Sequence, residues 1–166
     1  DTRDQVHAIT PEKGDFIFIP SGRLHAIGAG LLIYEIQQNS DTTYRVFDWN
    51  RPGTDGKPRD LHVSESLQCI DFEDIEPQMD TPQGDTLVEC EYFQVLRRTL
   101  SPTQPIAATP QDQAAIVTVV AGTVTSGHHR FKPGDFFLIP ALATDEVRNL
   151  VTQDEEAEVL LTWLPF

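Results

Sequence analysis

The sequence predicts an all-β protein built from short strands, as a sandwich or barrel, on three observations. Twelve prolines and ten glycines punctuate the 166 residues at short intervals. Between them lie brief runs rich in Phe, Ile, Val, Leu and Tyr, each of strand length and none with a helical period. One strand-entry motif occurs twice: residues 12–20 read EKGDFIFIP and residues 132–140 read KPGDFFLIP, an offset of 120. In that motif Gly and Asp build a turn, the apolar run fills a wall, and proline ends the strand.

In chain order, strands are expected at residues 16–19, 31–37, 43–47, 92–96, 115–120, 136–139 and 159–163. One short helix is expected at 64–69, where Ser64 suits a cap and Glu65 a first turn. Residues 71–91 hold eight acids and no base, with Pro77 and Pro82 among them. That stretch reads as an interdomain linker or a solvated edge, and its carboxylates lack the spacing of an EF-hand. The expected organisation is therefore a first domain at 1–70, a linker at 71–91 and a second domain at 92–166.

Composition narrows the function. A chain of this length makes one domain or two small ones and can bury a real core. Acidic residues outnumber basic ones 26 to 12, for a net charge of −14. That argues against sequence-independent nucleic-acid binding and against docking on anionic membranes, since both need a basic face. No apolar run approaches the roughly 20 residues of a membrane helix, and no secretory leader opens the chain. Cys69 and Cys90 are too few and too far apart for a disulfide scaffold and read as half-buried, reduced thiols. A cytoplasmic protein is expected. The chain opens at Asp1 rather than methionine, as a processed N-terminus or part of a longer polypeptide would.

The first motif copy runs on as PSGRLHAIG, residues 20–28. It resembles the second sequence motif of the cupin superfamily, whose histidine points into a small barrel and binds metal. Neutral imidazole is a good ligand for zinc or iron, and a strand fixes its direction. Residues 31–48 then read LLIYEIQQNSDTTYRVFD, and residues 60–67 read DLHVSESL. HAIG followed by EIQQNSDTTYRVFD resembles type I mannose-6-phosphate isomerase, also called phosphomannose isomerase, of the short bacterial kind. The likeness is strong over residues 14–70 and weaker beyond, where GDFFLIP is similar to that family's C-terminal barrel.

The resemblance implies cupin-like, jelly-roll barrels. Residues 1–70 would form the C-terminal part of a catalytic barrel, and 92–166 a complete second barrel. The second barrel should be metal-free, because Ala-Leu-Ala-Thr-Asp follows Pro140 where the first copy has Ser-Gly-Arg-Leu-His. The implied reaction interconverts mannose 6-phosphate and fructose 6-phosphate with one zinc. His25 matches the metal-binding histidine and Arg45 the catalytic arginine. Glu35 and Asp41 match acidic positions of the pocket, and Arg51 a basic position facing the substrate phosphate in some relatives.

The chemistry suits these residue types. An aldose–ketose isomerisation needs a base near C1 and C2 and positive charge near the developing oxyanion. A zinc ion polarises the sugar oxygens, and an arginine supplies planar donors that keep their proton. Arg45, Arg51, Lys57 and Arg59 are four of the twelve basic residues and fall within fifteen positions, a local positive patch on an acidic chain. Plainer roles stand beside these. Arg45 could pair with Asp41 or Asp48 across a strand edge. Strand alternation leaves Glu35 on either face. Lys57 and Arg59 read as loop charges, His62 as structural or exposed, and His128 and His129 as a solvated hairpin tip. His7 carries no signal.

One departure from the family is large. Its first cupin motif and other zinc ligands lie before the GDF segment, and the thirteen residues preceding Gly14 offer only His7 and a few carboxylates. A catalytic zinc takes three protein ligands. The sequence therefore reads as the C-terminal half of an isomerase. Its open strand edges would invite a homodimer or association with the missing N-terminal half. The alternative is a non-catalytic cupin-like module that binds a sugar phosphate or regulates a partner. A storage-type structural cupin would leave the setting of Arg45 unexplained.

Overall fold

The computed structural model describes residues 5–49, 51–110 and 112–165. The chain divides into two compact units, Asp1–Asp80 and Thr81–Phe166.

The second unit holds every strand assigned among the described residues: β1 (Thr86–Glu89), β2 (Gln94–Leu100), β3 (Ile106–Ala107), β4 (Ala115–Ala121), β5 (Val124–Ser126), β6 (His129–Phe131), β7 (Phe136–Ile139), β8 (Asn149–Val151) and β9 (Ala157–Trp163). A five-stranded sheet runs β1-β2-β9-β4-β7 and a four-stranded sheet runs β3-β8-β5-β6. Each pairing is antiparallel. Alternation along the strands explains the shared core. On β9, Ala157, Val159 and Leu161 are buried while Glu158 and Leu160 are less so. Val117 and Val119 of β4 lie opposite Leu161 and Val159 in register. Ile106, Val124 and Leu150 reach the same core from the other sheet, and the Phe131 and Phe137 rings stack 3.7 Å apart beside it. Two sheets closing on one apolar interior is the all-β, cupin-like architecture the sequence predicts.

The repeated motif makes the same turn twice. The Glu12 N–H donates to the Asp15 carboxylate at 2.8 Å while the Asp15 N–H returns to the Glu12 carbonyl at 3.2 Å. The Lys132 N–H donates to Asp135 at 2.9 Å and the Asp135 N–H returns to Lys132 at 3.0 Å. Gly14 and Gly134 supply the positive φ, +95° and +93°. Beyond the turn the two copies diverge. The second continues into β7, paired with β4, whereas residues 16–19 form no ladder.

The first unit carries one helix, α1 (Val63–Cys69), with His62 before it and no side-chain cap bond. The expectation that Ser64 caps it is therefore corrected: Ser64 lies inside the helix, its hydroxyl directed to Glu65 at 3.3 Å. The strands expected at 31–37 and 43–47 likewise carry no ladder: along 43–47 a single backbone bond, from the His62 N–H to the Arg45 carbonyl, does not extend into one. Instead the unit is tied by side chains. Arg23 holds Asp74 at 2.5 and 3.2 Å and donates to the Phe18 carbonyl at 2.7 Å. Asp80 accepts from the Phe18 N–H at 2.6 Å. The acidic stretch thus contributes its first ten residues to this unit, and β1 forms further along it. Cys69 is exposed rather than half-buried, and Cys90 is half-buried, with its thiol on the Phe93 carbonyl at 3.3 Å. No helix among the described residues is long and apolar enough to cross a membrane.

Candidate functional site

The first unit opens a cleft of about 870 Å³ lined by Arg45, residues 51–55, residues 57–60 and His62. Arg45, Arg51, Lys57 and Arg59 face Asp55 and Asp60 there, so the lining is cationic on a chain whose net charge is −14. A tight turn shapes it: the Gly53 N–H bonds the Lys57 carbonyl at 2.6 Å, and Pro52 bridges Pro58.

Arg45 is fixed from its backbone. Its carbonyl accepts the His62 N–H at 2.8 Å, and its own N–H donates to His62 Nδ1 at 3.2 Å. An acceptor Nδ1 leaves the neutral ring's proton on Nε2. The Arg45 guanidinium reaches the Asp60 carbonyl at 3.2 Å, rather than the Asp41 or Asp48 carboxylate considered from the sequence.

Beneath the cleft Asp48 is buried at 6% exposure. Arg59 grips both its oxygens, Nε to Oδ2 at 2.7 Å and Nη2 to Oδ1, and Arg51 adds a bond to Oδ1 at 2.8 Å. Arg51 also lies over the Trp49 ring, 5.6 Å from its centroid. The bonds from Arg59 first, then Arg51, hold the Asp48 carboxyl well below the usual carboxylate range, and the same contact raises Arg59. Because the folded pKa is depressed, this contribution to stability is complete above roughly pH 4 and declines as pH falls through the folded value. In a carboxyl-carbon NMR titration Asp48 should stay ionised well below pH 4, and Arg59→Ala should move its midpoint upward; an ordinary midpoint in the unsubstituted protein would refute the clamp.

His25 is exposed, and its Nδ1 lies 3.0 Å from the Arg23 carbonyl. A carbonyl only accepts, so Nδ1 is the donor and the neutral ring's lone pair sits on Nε2, the arrangement common in metal-binding histidines. Yet no group of three or more His, Cys, Asp or Glu able to hold a metal forms among the described residues. The donors present therefore do not complete a zinc site. Glu35 and Asp41 are exposed and do not line the Arg45 cleft. His128 stands at the β5–β6 turn with 93% of its side chain exposed, as a solvated tip should. The sequence offered Asp48 only as a partner for Arg45, whereas Arg59 and Arg51 hold it, and it read His62 as structural or exposed, which its bonds to the Arg45 backbone bear out. The Asp48–Arg51 spacing was readable, but the clasp from Arg59 and the Arg45–His62 pairing need the 53–57 turn.

No family model matches the chain. Mannose-6-phosphate isomerase ManA of Bacillus subtilis (strain 168) is 38% identical over 141 residues, which cover 78% of this chain and 44% of that protein. The chain is a homologue of the mannose-6-phosphate isomerases. The mannose-6-phosphate isomerase of Streptococcus mutans is 34% identical over 142 residues, covering 80% of this chain and 44% of its own length. The crystal structure of the Bacillus subtilis mannose 6-phosphate isomerase superposes with a TM-score of 0.56 at 25% identity, over 75% of this chain and 41% of that one. The chain thus spans less than half the length of the mannose-6-phosphate isomerases it matches.

Proposed function

We propose that this chain is the C-terminal portion of a mannose-6-phosphate isomerase that interconverts mannose 6-phosphate and fructose 6-phosphate. The homology over 78% of the chain carries this reading, and the cationic cleft around Arg45 supports it. In it, residues 1–70 belong to the catalytic barrel and 92–166 form a metal-free second barrel. Arg45 stabilises negative charge on the reacting oxygens, and the cleft's cations receive the hexose 6-phosphate. Arg51, already engaged by Asp48, serves the phosphate from a fixed position. Glu35 and Asp41 support proton movement, and His25 is one ligand of a zinc ion whose other ligands lie outside the described residues. The free cysteines fit a cytoplasmic setting.

In the complete polypeptide containing these residues, Arg45→Ala should lower kcat about a hundredfold or more with metal content unchanged. Coupled assay of fructose 6-phosphate formation with metal analysis checks this. Unchanged turnover would remove Arg45 from the chemistry. The second reading, a sugar-phosphate-binding or regulatory module, is favoured by the lack of a three-donor cluster among the described residues. It requires binding of mannose 6-phosphate without turnover by that same polypeptide.

A further inference from the structure

Arg51 reaches the cleft under two restraints. Its N–H bonds the Asp48 carbonyl at 3.0 Å and closes a turn. Its guanidinium bonds Asp48 Oδ1 at 2.8 Å and lies over the Trp49 ring, yet the side chain is 61% exposed. The turn holds Trp49 at φ +52°, a region that a bulky L residue seldom adopts. Backbone strain of this kind persists where the surroundings over-determine it, and it gathers at ligand sites. The arrangement has an electrostatic cost for anion binding. Asp48 is a carboxylate at 6% exposure, and a carboxylate close to a bound phosphate repels it. Paired with Arg51 alone, Asp48 would cancel the charge that Arg51 brings. Arg59 changes that balance. It gives Asp48 two bonds, from Nε and Nη2, where Arg51 gives one. Two guanidinia around one carboxylate leave one positive charge at the cleft that both arginines line.

We propose that Asp48 and Arg59 are positioning residues for the sugar phosphate: Asp48 orients Arg51, and Arg59 neutralises Asp48 so that the charge of Arg51 is left for the phosphate. The inference rests on the reading of this cleft as the hexose 6-phosphate site, and it gives Arg59 a role exerted through Asp48. A tie between residues 48 and 59 across the 53–57 turn would need Arg59 alone. Arg51 bonds the same Oδ1 from the more exposed side, at 61% against 45% for Arg59. It is therefore the member placed to offer donors to a ligand, with its plane set by one carboxylate oxygen and one aromatic face.

The test measures mannose 6-phosphate binding by isothermal titration calorimetry, beside the steady-state assay, on the complete polypeptide containing these residues. Arg59→Met leaves Asp48 to neutralise Arg51. It should raise Kd and KM about tenfold or more, with kcat falling much less. Arg59→Lys restores the charge without the fork and should recover most of that affinity. Asp48→Asn/Arg59→Met removes one charge of each sign, so the cluster keeps its net charge, and the amide oxygen still accepts from Arg51. This double variant should also recover most of the affinity. A purely structural clasp predicts the reverse, with the double variant at least as impaired as Arg59→Met. The double variant buries no carboxylate stripped of Arg59, so it decides the matter even where Arg59→Met does not fold. A double variant about tenfold weaker than the unsubstituted protein, an Arg59→Met variant of undiminished affinity, or no mannose 6-phosphate binding at all would overturn the proposal. Binding that follows the expected pattern without turnover supports it and counts against the catalytic reading alone. Turnover with KM unmoved by Arg59→Met does the opposite.

Discussion

Arg148→Met should destabilise the second unit by about 3–5 kcal/mol, one of the largest effects of any single side chain there. Arg148 ends the four-residue helix α2 (Asp145–Arg148) and is only 9% exposed. No carboxylate among the described residues lies within ion-pair distance of it. Its guanidinium instead donates Nη1 to the Pro110 carbonyl at 2.7 Å and Nη2 to the Ala141 and Ala143 carbonyls, each at 3.1 Å. One fork therefore joins the loop before β4 to the loop between β7 and α2. Met fills a similar volume but leaves three carbonyls without that donor, and charge-assisted bonds contribute about 1.5–3 kcal/mol each. Arg148→Lys should recover less than half, because an ammonium on a flexible stem cannot span both loops. For a unit of this size the Met variant should lower Tm by roughly 15 °C or more, at about 4–8 °C per kcal/mol. Urea and thermal unfolding followed by circular dichroism check this, and a loss below about 1 kcal/mol would mean the loops hold without the fork.

The two copies of the GDF motif show what a sequence can and cannot disclose. Local chemistry was fully readable: both make the same Gly–Asp turn, because the turn's hydrogen bonds close within four residues. Strand formation was readable only where a partner exists. Phe136–Ile139 has β4 beside it and becomes β7 at the expected bounds, whereas residues 16–19, with the same pattern, have no ladder. A strand is a property of a pair, and the pattern reports one member. The site divides in the same way. Arg45 was marked by its string. The Asp48 clasp was not, because its principal partner, Arg59, is eleven residues away and arrives through a turn whose closure the composition does not specify. Arg148 was invisible for a related reason: its acceptors are backbone carbonyls, which every residue carries.

Gly122→Ala should cost about 3–5 kcal/mol, while Gly134→Ala should cost only about 1–2. Both glycines have positive φ, +68° and +93°, so both substitutions meet backbone strain. The surroundings separate them. A Cβ on Gly134 meets nothing within 4 Å. A Cβ on Gly122 would stand 2.6 Å from the Glu156 carbonyl oxygen and 2.8 Å from both Cα and Cβ of Ala157. Those are atoms of the chain entering β9, with no flexible side-chain end able to swing away. The corner itself is pinned where the path leaves one sheet for the other. The β4–β9 register shifts between Val119 and Ala121, the Thr123 N–H bonds Asp154 at 2.5 Å, and the Thr152 hydroxyl bonds the Thr123 carbonyl at 2.7 Å. Relief therefore requires moving β9, the strand that places Val159 and Leu161 in the core. Paired denaturant melts of the two variants decide the matter. A gap of about 2 kcal/mol or more places the cost in the close approach at the corner. Equal losses would mean that the corner gives way and that positive φ alone sets the cost at both positions.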